Sequence, residues 1–290
     1  MQLPLPTRTA LTAALATTLL AAAGSSLAAD WSDTSIGFRT GTQFAEPFNT
    51  QDIKKDIYNL NHVSGYKYGG NFFNVDLLLS DSKDPGGAGS SNGAQEVYIV
   101  YRHTLDVAKV SGMPMAFGPM RGLGLTAGFD VNAKTDAGYN SKKRMLVLGP
   151  TVMFDVPGFF NVSLLALKES NAPYNSFSGV STPRYDYKTH AMLTGAWSIG
   201  LIKGVPLTFE GFFNVIDSKG KNEFGGPTAT ETNIDMQLMY DVSSLWGGKN
   251  ALKMGLEYQY WKNKFGNPAS GPAGKGAFAK TTMLRAEYHF

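Results

Sequence analysis

The sequence predicts an all-β fold: a transmembrane antiparallel up-and-down β-barrel of about 12 strands, with short turns at one rim and long loops at the other. Three observations predict it. In the last ten residues Thr282, Leu284, Ala286, Tyr288 and Phe290 share one face while Met283, Arg285, Glu287 and His289 share the other, the period of two that a strand imposes. An apolar row running to a terminal aromatic suits a closing strand with lipid on one side and water on the other. The composition, with 18 Phe, 13 Tyr, 4 Trp, 33 Gly and no Cys, suits membrane interfaces and crowded turns. Beyond the first residues, every apolar run is broken by polar residues well before the ~18 that a spanning helix needs.

At the amino end Arg8 precedes an apolar run from Ala10 to Gly24, and Ser26-Leu27-Ala28 offers small residues where a signal peptidase reads. Residues 1–28 are expected to be a secretory signal, because the run is too short for a transmembrane helix. Residues 29–290 are then the barrel, placed in the cell outer membrane after signal cleavage. Lipid, lipopolysaccharide and the outer-membrane assembly machinery are the expected macromolecular surroundings. The lack of Cys excludes disulfides and thiolate metal sites. A formal net charge of +3, with acids and bases interspersed, leaves no basic stripe for nucleic acid.

Taken in order, alternation and turn residues mark Asp33 to Gly41, Tyr58 to Lys67, Asn71 to Asp81, Gln95 to Val107, Phe117 to Val131 and Lys142 to Asp155. They continue with Phe159 to Glu169, Tyr185 to Leu201, Pro206 to Asp217, Glu231 to Asp241, Ala251 to Lys262 and Ala277 to Phe290. Connections after odd strands are mostly long and polar, as in Asp81 to Gly93 and Gly266 to Pro272. Those after even strands are mostly tight, as in Tyr68-Gly69-Gly70, Val156-Pro157-Gly158 and Lys203-Gly204-Val205. That asymmetry is the barrel's, with periplasmic turns and external loops, and an even count puts both chain ends in the periplasm.

Alternation also separates two faces. Val97, Ile99 and Tyr101 are expected to meet lipid, with Leu207, Phe209, Phe213, Val215, Ile234, Met236, Leu238, Tyr240, Leu252, Met254, Leu256 and Tyr258. Glu96, Asp130, Glu210, Asp235, Glu257 and Glu287 face the lumen against Arg102, Lys188, Lys253 and Arg285. On this register Leu256→Arg should impair folding and Glu257→Gln should not. Aromatic rings also turn inward, at Phe72, Tyr98, Phe212 and Trp261. They are either filler, as in narrow barrels, or a stacking surface for a flat solute whose edges bond to Asn74, Asp76, Asn214 and nearby carboxylates.

No enzyme is expected. His62, His103, His190 and His289 sit in no motif with Ser or paired carboxylates. They lie too far apart for metal spacing, and no cofactor motif holds. Gly122-Leu123-Gly124 has no following helix to make it a dinucleotide fingerprint and reads as a thin place in the lumen wall.

The stretch Val63-Ser64-Gly65-Tyr66-Lys67-Tyr68-Gly69-Gly70-Asn71-Phe72-Phe73-Asn74-Val75-Asp76, then Ser80-Asp81, Gln95-Glu96-Val97-Tyr98 and Tyr101-Arg102, resembles the Tsx-like family of nucleoside-specific channel-forming outer-membrane proteins. Arg121-Gly122, Ser141-Lys142-Lys143-Arg144, Leu148-Gly149-Pro150 and the closing Tyr288-His289-Phe290 look similar to the same pattern. The resemblance implies a monomeric twelve-stranded barrel whose narrow lumen passes nucleosides. The expected function is passive, selective uptake of small flat solutes, most simply nucleosides. The alternative is a structural barrel or a surface receptor for phage or host ligands, with no specific solute.

Overall fold

The computed structural model describes residues 29–87, 89–175 and 179–290; the signal expected over 1–28 lies outside them. Twelve long strands follow one another: β1 (Trp31–Phe44), β2 (Ile53–Tyr66), β3 (Gly69–Ser80), β4 (Gln95–Asp106), β5 (Met120–Lys134) and β6 (Lys142–Phe154). The second half is β7 (Gly158–Asn171), β8 (His190–Gly200), β9 (Leu207–Ile216), β10 (Glu231–Asp241), β11 (Leu252–Lys262) and β12 (Phe278–His289). Each pairs antiparallel with the next, and β12 pairs with β1, His289 to Met283 against Ser35 to Gly41. The Phe290 N–H donates to the Thr34 carbonyl at 2.9 Å, so the last strand is paired to its end. Closure leaves no long edge of unpaired amides. A row of paired residues followed round the barrel from Trp31 returns to β1 about sixteen residues further along, a stagger that tilts twelve strands by about 45°.

The polarity is inverted relative to a water-soluble protein. Leu146, Leu148, Leu164, Leu256 and Leu284 point outward and each exposes more than half of its surface, whereas Lys55, Glu96 and Glu257 face inward and are buried. Such a surface matches a bilayer outside and a polar interior. Outward aromatics close gaps between strands: Phe213 lies over Gly195, where a Cβ would come within 2.3 Å of its ring, and Trp197 packs between Phe213 and Phe209.

Most expected strands hold to within a few residues, and the pair divided at Tyr68-Gly69-Gly70 is indeed a tight hairpin, Tyr66 pairing with Gly69. Four features differ. β2 begins at Ile53 rather than Tyr58, because Ile53, Lys55 and Ile57 all turn inward while Lys54 and Asp56 do not; the charge run hid the alternation. β5 starts and ends later than Phe117 to Val131, and at its end Lys134 is drawn inward by three carboxylates. β8 starts at His190, so Lys188 is an exposed loop residue and not part of the lumen wall. There the ladder breaks because Tyr187 turns inward and gives its hydroxyl to Glu223. Finally, the tight-turn rim carries a short helix, α1 (Val107–Ser111), which Asp106 caps through the N–H groups of Ala108 and Lys109 and which ends on Gly112 at φ 72°.

The inward glycines of β5 do not thin the wall. A Cβ at Gly124 would meet Thr104 at 2.8 Å, and one at Gly128 would meet the Arg102 side chain at 2.8 Å. Their missing side chains let Thr104 and Arg102 lie flat against the sheet.

Candidate functional site

The site grows from the stagger. β3 and β9 lie six strands apart in the closed order, on opposite walls. Once the tilt is allowed for, Glu210 comes level with Phe72, and Phe212 stands one inward position nearer the loops. Although both point inward, Phe72 is 36% and Phe212 37% exposed, so each presents an open ring inside the barrel. Asn74 and Asp76 stand above Phe72 on their strand, and Asn214 stands above Phe212. The small side chain of Ala196, paired with Phe212, leaves the flank of that ring open. Sequence reasoning missed Ala196, since only the register reveals a small neighbour.

The wall between these rings is charged. Arg39 approaches Asp76 at 2.5 Å and Glu257 at 3.4 Å; Arg285 bonds Glu257 at 2.7 Å and reaches Glu287 as well. Gln259 donates to Asp235 at 3.1 Å, while Lys253 and Gln237 both reach Glu210. Arg39 belongs to this set and was not among the expected residues, because Gly37 and Gly41 around it disguise the lumenal row. On the other wall Arg102 pairs with Asp130, and the hydroxyls of Thr104, Thr126, Thr151 and Ser163 join in one chain across four strands. Asp76 Oδ1, Asn161 Oδ1 and Asn233 Oδ1 have no protein hydrogen-bond partner among the described residues. They are buried acceptors that the wall itself leaves unused.

Glu257 is not the freely replaceable lumen residue expected. Its carboxylate has no exposed surface and stands between two guanidiniums, so its neutralisation would break two buried ion pairs and leave Arg39 to Asp76 and Arg285 to Glu287.

Three expected site residues belong elsewhere. Tyr98 is filler: its ring packs against an inward apolar cluster of Met145, Val147, Leu165, Leu167 and Met192, and its hydroxyl donates to Asp130 at 3.2 Å. That cluster was hidden because β6 and β7 read as continuous apolar runs, in which alternation has no contrast. Glu96 and Trp261 lie higher, in a cap at the loop rim. Glu96 accepts from Asn132 at 2.6 Å, and Trp261 donates to Glu231 at 2.6 Å and meets Phe265 edge to face.

The cap is built by the long loops. Glu46 gathers Lys55 at 2.5 Å, Lys264 at 2.9 Å and Lys134 at 3.2 Å; Lys134 also reaches Asp84 at 3.0 Å and Asp136 at 2.9 Å. A second cluster joins Glu169 to Lys143 and Lys219, with Tyr139 and Tyr187 on Glu223. Burial opposes the charge on Glu46, yet Lys134, Lys264 and Lys55 hold its carboxyl well below the usual range. Each of the four His residues makes a local hydrogen bond: His62 with Thr34, His103 with Asn71, His190 with the Lys188 carbonyl and His289 with Asp33.

No protein-family model matches the chain, and no curated protein does at a significant level. Among solved structures it is similar to the KdgM porin, with 11% identity over 88% of this chain and 99% of that one and a TM-score of 0.42. An outer-membrane channel from Pseudomonas putida gives 9% identity over 91% and 96%, TM-score 0.46. The translocator domain of the autotransporter NalP from Neisseria meningitidis gives 13% over 97% and 97%, TM-score 0.42. Identities this low carry no function with them.

Proposed function

We propose that the barrel is an outer-membrane channel for passive uptake of small flat solutes, with nucleosides as the solute class. One observation carries it: two inward rings, Phe72 and Phe212, stand open on opposite walls, Phe212 one inward position nearer the loops, with amides, carboxylates and guanidiniums between them. A planar base can stack on such a ring, and its sugar and ring edges can bond to the polar groups. The resemblance of the segments around Phe72 to the Tsx-like family supports the same solute. Weak binding at several steps keeps release fast, as a channel requires.

The test is single-channel recording of the purified barrel in planar bilayers, with and without adenosine. The reading expects adenosine to reduce ion current in a saturable way, and glucose at the same concentration to leave it unchanged. Equal effects of both, or no conducting state, would remove the nucleoside or the channel respectively. The ion-paired cap favours a second reading, a surface receptor presenting its loops; that reading expects no solute-dependent current.

A further inference from the structure

The outer wall carries a cluster of cations at the loop-side margin of the apolar belt. Going up β6 toward the loops, the outward row reads Leu148, Leu146, Arg144, Lys142; on β7 it reads Leu164, Ala166, Lys168. Arg184, from the following loop, reaches Ser170 at 3.0 Å, and Lys142 reaches Ser181 at 3.2 Å. Lys168 lies 3.6 Å from Asp186, the one acid in the group. Among the described residues Arg144 has no acidic partner. Burial and the neighbouring Arg144 both push the Arg184 pKa down, a sign of like charges held close. Beside them a groove of about 350 Å³ opens on the lipid-facing wall. Phe129, Val131 and Leu146 form its floor, and Arg144, Lys168 and Asp186 line its edge.

We infer that this patch is a binding site for a phosphorylated lipid of the surrounding leaflet, an acyl chain lying in the groove and a phosphate held by Arg144, Lys168 and Arg184. The charge is complementary and the geometry is that of a bilayer margin: an apolar floor in the belt, cations just outside it. An arginine fork suits phosphate oxygens. The inference rests on the outer-membrane placement proposed above, which makes the occupant the bisphosphorylated glucosamine lipid that anchors lipopolysaccharide.

The experiment uses the folded full barrel in neutral detergent, with purified lipid A bound and counted by native mass spectrometry. Arg144→Glu with Lys168→Glu is expected to weaken binding by about tenfold or more, the loss of one or two charge-assisted contacts. Arg144→Gln with Lys168→Gln should weaken it less, and this milder pair keeps the test open if the first misfolds. Lys262→Glu with Lys280→Glu, two outward cations on β11 and β12, should leave it unchanged. Dephosphorylated lipid should bind the parent no better than lipid A binds the first variant, and millimolar inorganic phosphate should not displace lipid A. Equal binding by parent and both β6–β7 variants, or indifference to the phosphates, would overturn the inference. The readout needs no solute and no current, so its failure would leave the nucleoside reading untouched, and the reverse holds.

Discussion

Glu257 and Leu256 are neighbours in the chain with opposite surroundings, and their substitutions should fail for different reasons. Leu256 faces lipid between Leu238 and Leu284, so Leu256→Arg should cost about 2 to 4 kcal/mol of barrel stability. Glu257→Gln removes the anion that bridges Arg39 and Arg285, leaving each one other carboxylate, and should lower stability measurably, by about 1 kcal/mol or more. Both are read from urea titration of the refolded barrel; a Glu257→Gln protein as stable as its parent would show that the ion network is not as drawn. Phe212→Ala removes an open ring, with a loss of about 1 to 3 kcal/mol of solute binding, a 5- to 150-fold change. Tyr98→Ala should instead lower stability and leave solute affinity near the parent value. At this scale the sequence was readable wherever polar and apolar residues alternate. The inward direction of Phe72, Phe212, Asp235 and Glu257 followed from parity alone. It was not readable which rings stay open, because Tyr98 and Phe212 have the same parity and differ only in what packs on them.

The closing strand and the cap are the two elements with distinct predictions. The outward row Leu284, Ala286, Tyr288 and Phe290 borders the seam with β1. Deleting Phe290 should therefore sharply reduce heat-modifiable barrel in membranes; unchanged yield and gel mobility would count against that role. In the cap, burial first and then Glu46 push the Asp84 carboxyl up to about 6, against the pull of Lys134 and Lys55. A folded pKa above the unfolded one means that protonation favours the assembled cap, which covers the loop end of the lumen. Asp84's contribution is fully present below about pH 4 and is lost as pH rises through about 6, while Glu46 stays charged across that window. Conductance should accordingly fall between about pH 7.5 and pH 5, and Asp84→Asn should flatten the profile. A rise on acidification would contradict the sign. The strands of these elements were legible from periodicity and turn residues. The cap was not, because Glu46, Asp84, Lys134 and Lys264 come from four separate regions of the chain and meet only after closure.

Across the whole molecule, one stagger organises everything described. Twelve strands tilted by about 45° bring β3 and β9 to opposite walls, carry the long loops to one rim and leave both ends of the barrel at the other. The strand count came from counting turns, whereas the opposition of Phe72 and Phe212 needs the register of every pair between them. The central claim is that a flat solute stacks between those two walls. Its most direct test is adenosine titration of single-channel current in the parent, Phe72→Ala, Phe212→Ala and the double variant. The account predicts saturable block in the parent, weaker block in each single variant, weakest block in the double, and a wider open conductance in all three. Conductance that widens while adenosine block keeps the parent's affinity would make both rings filler and contradict the claim.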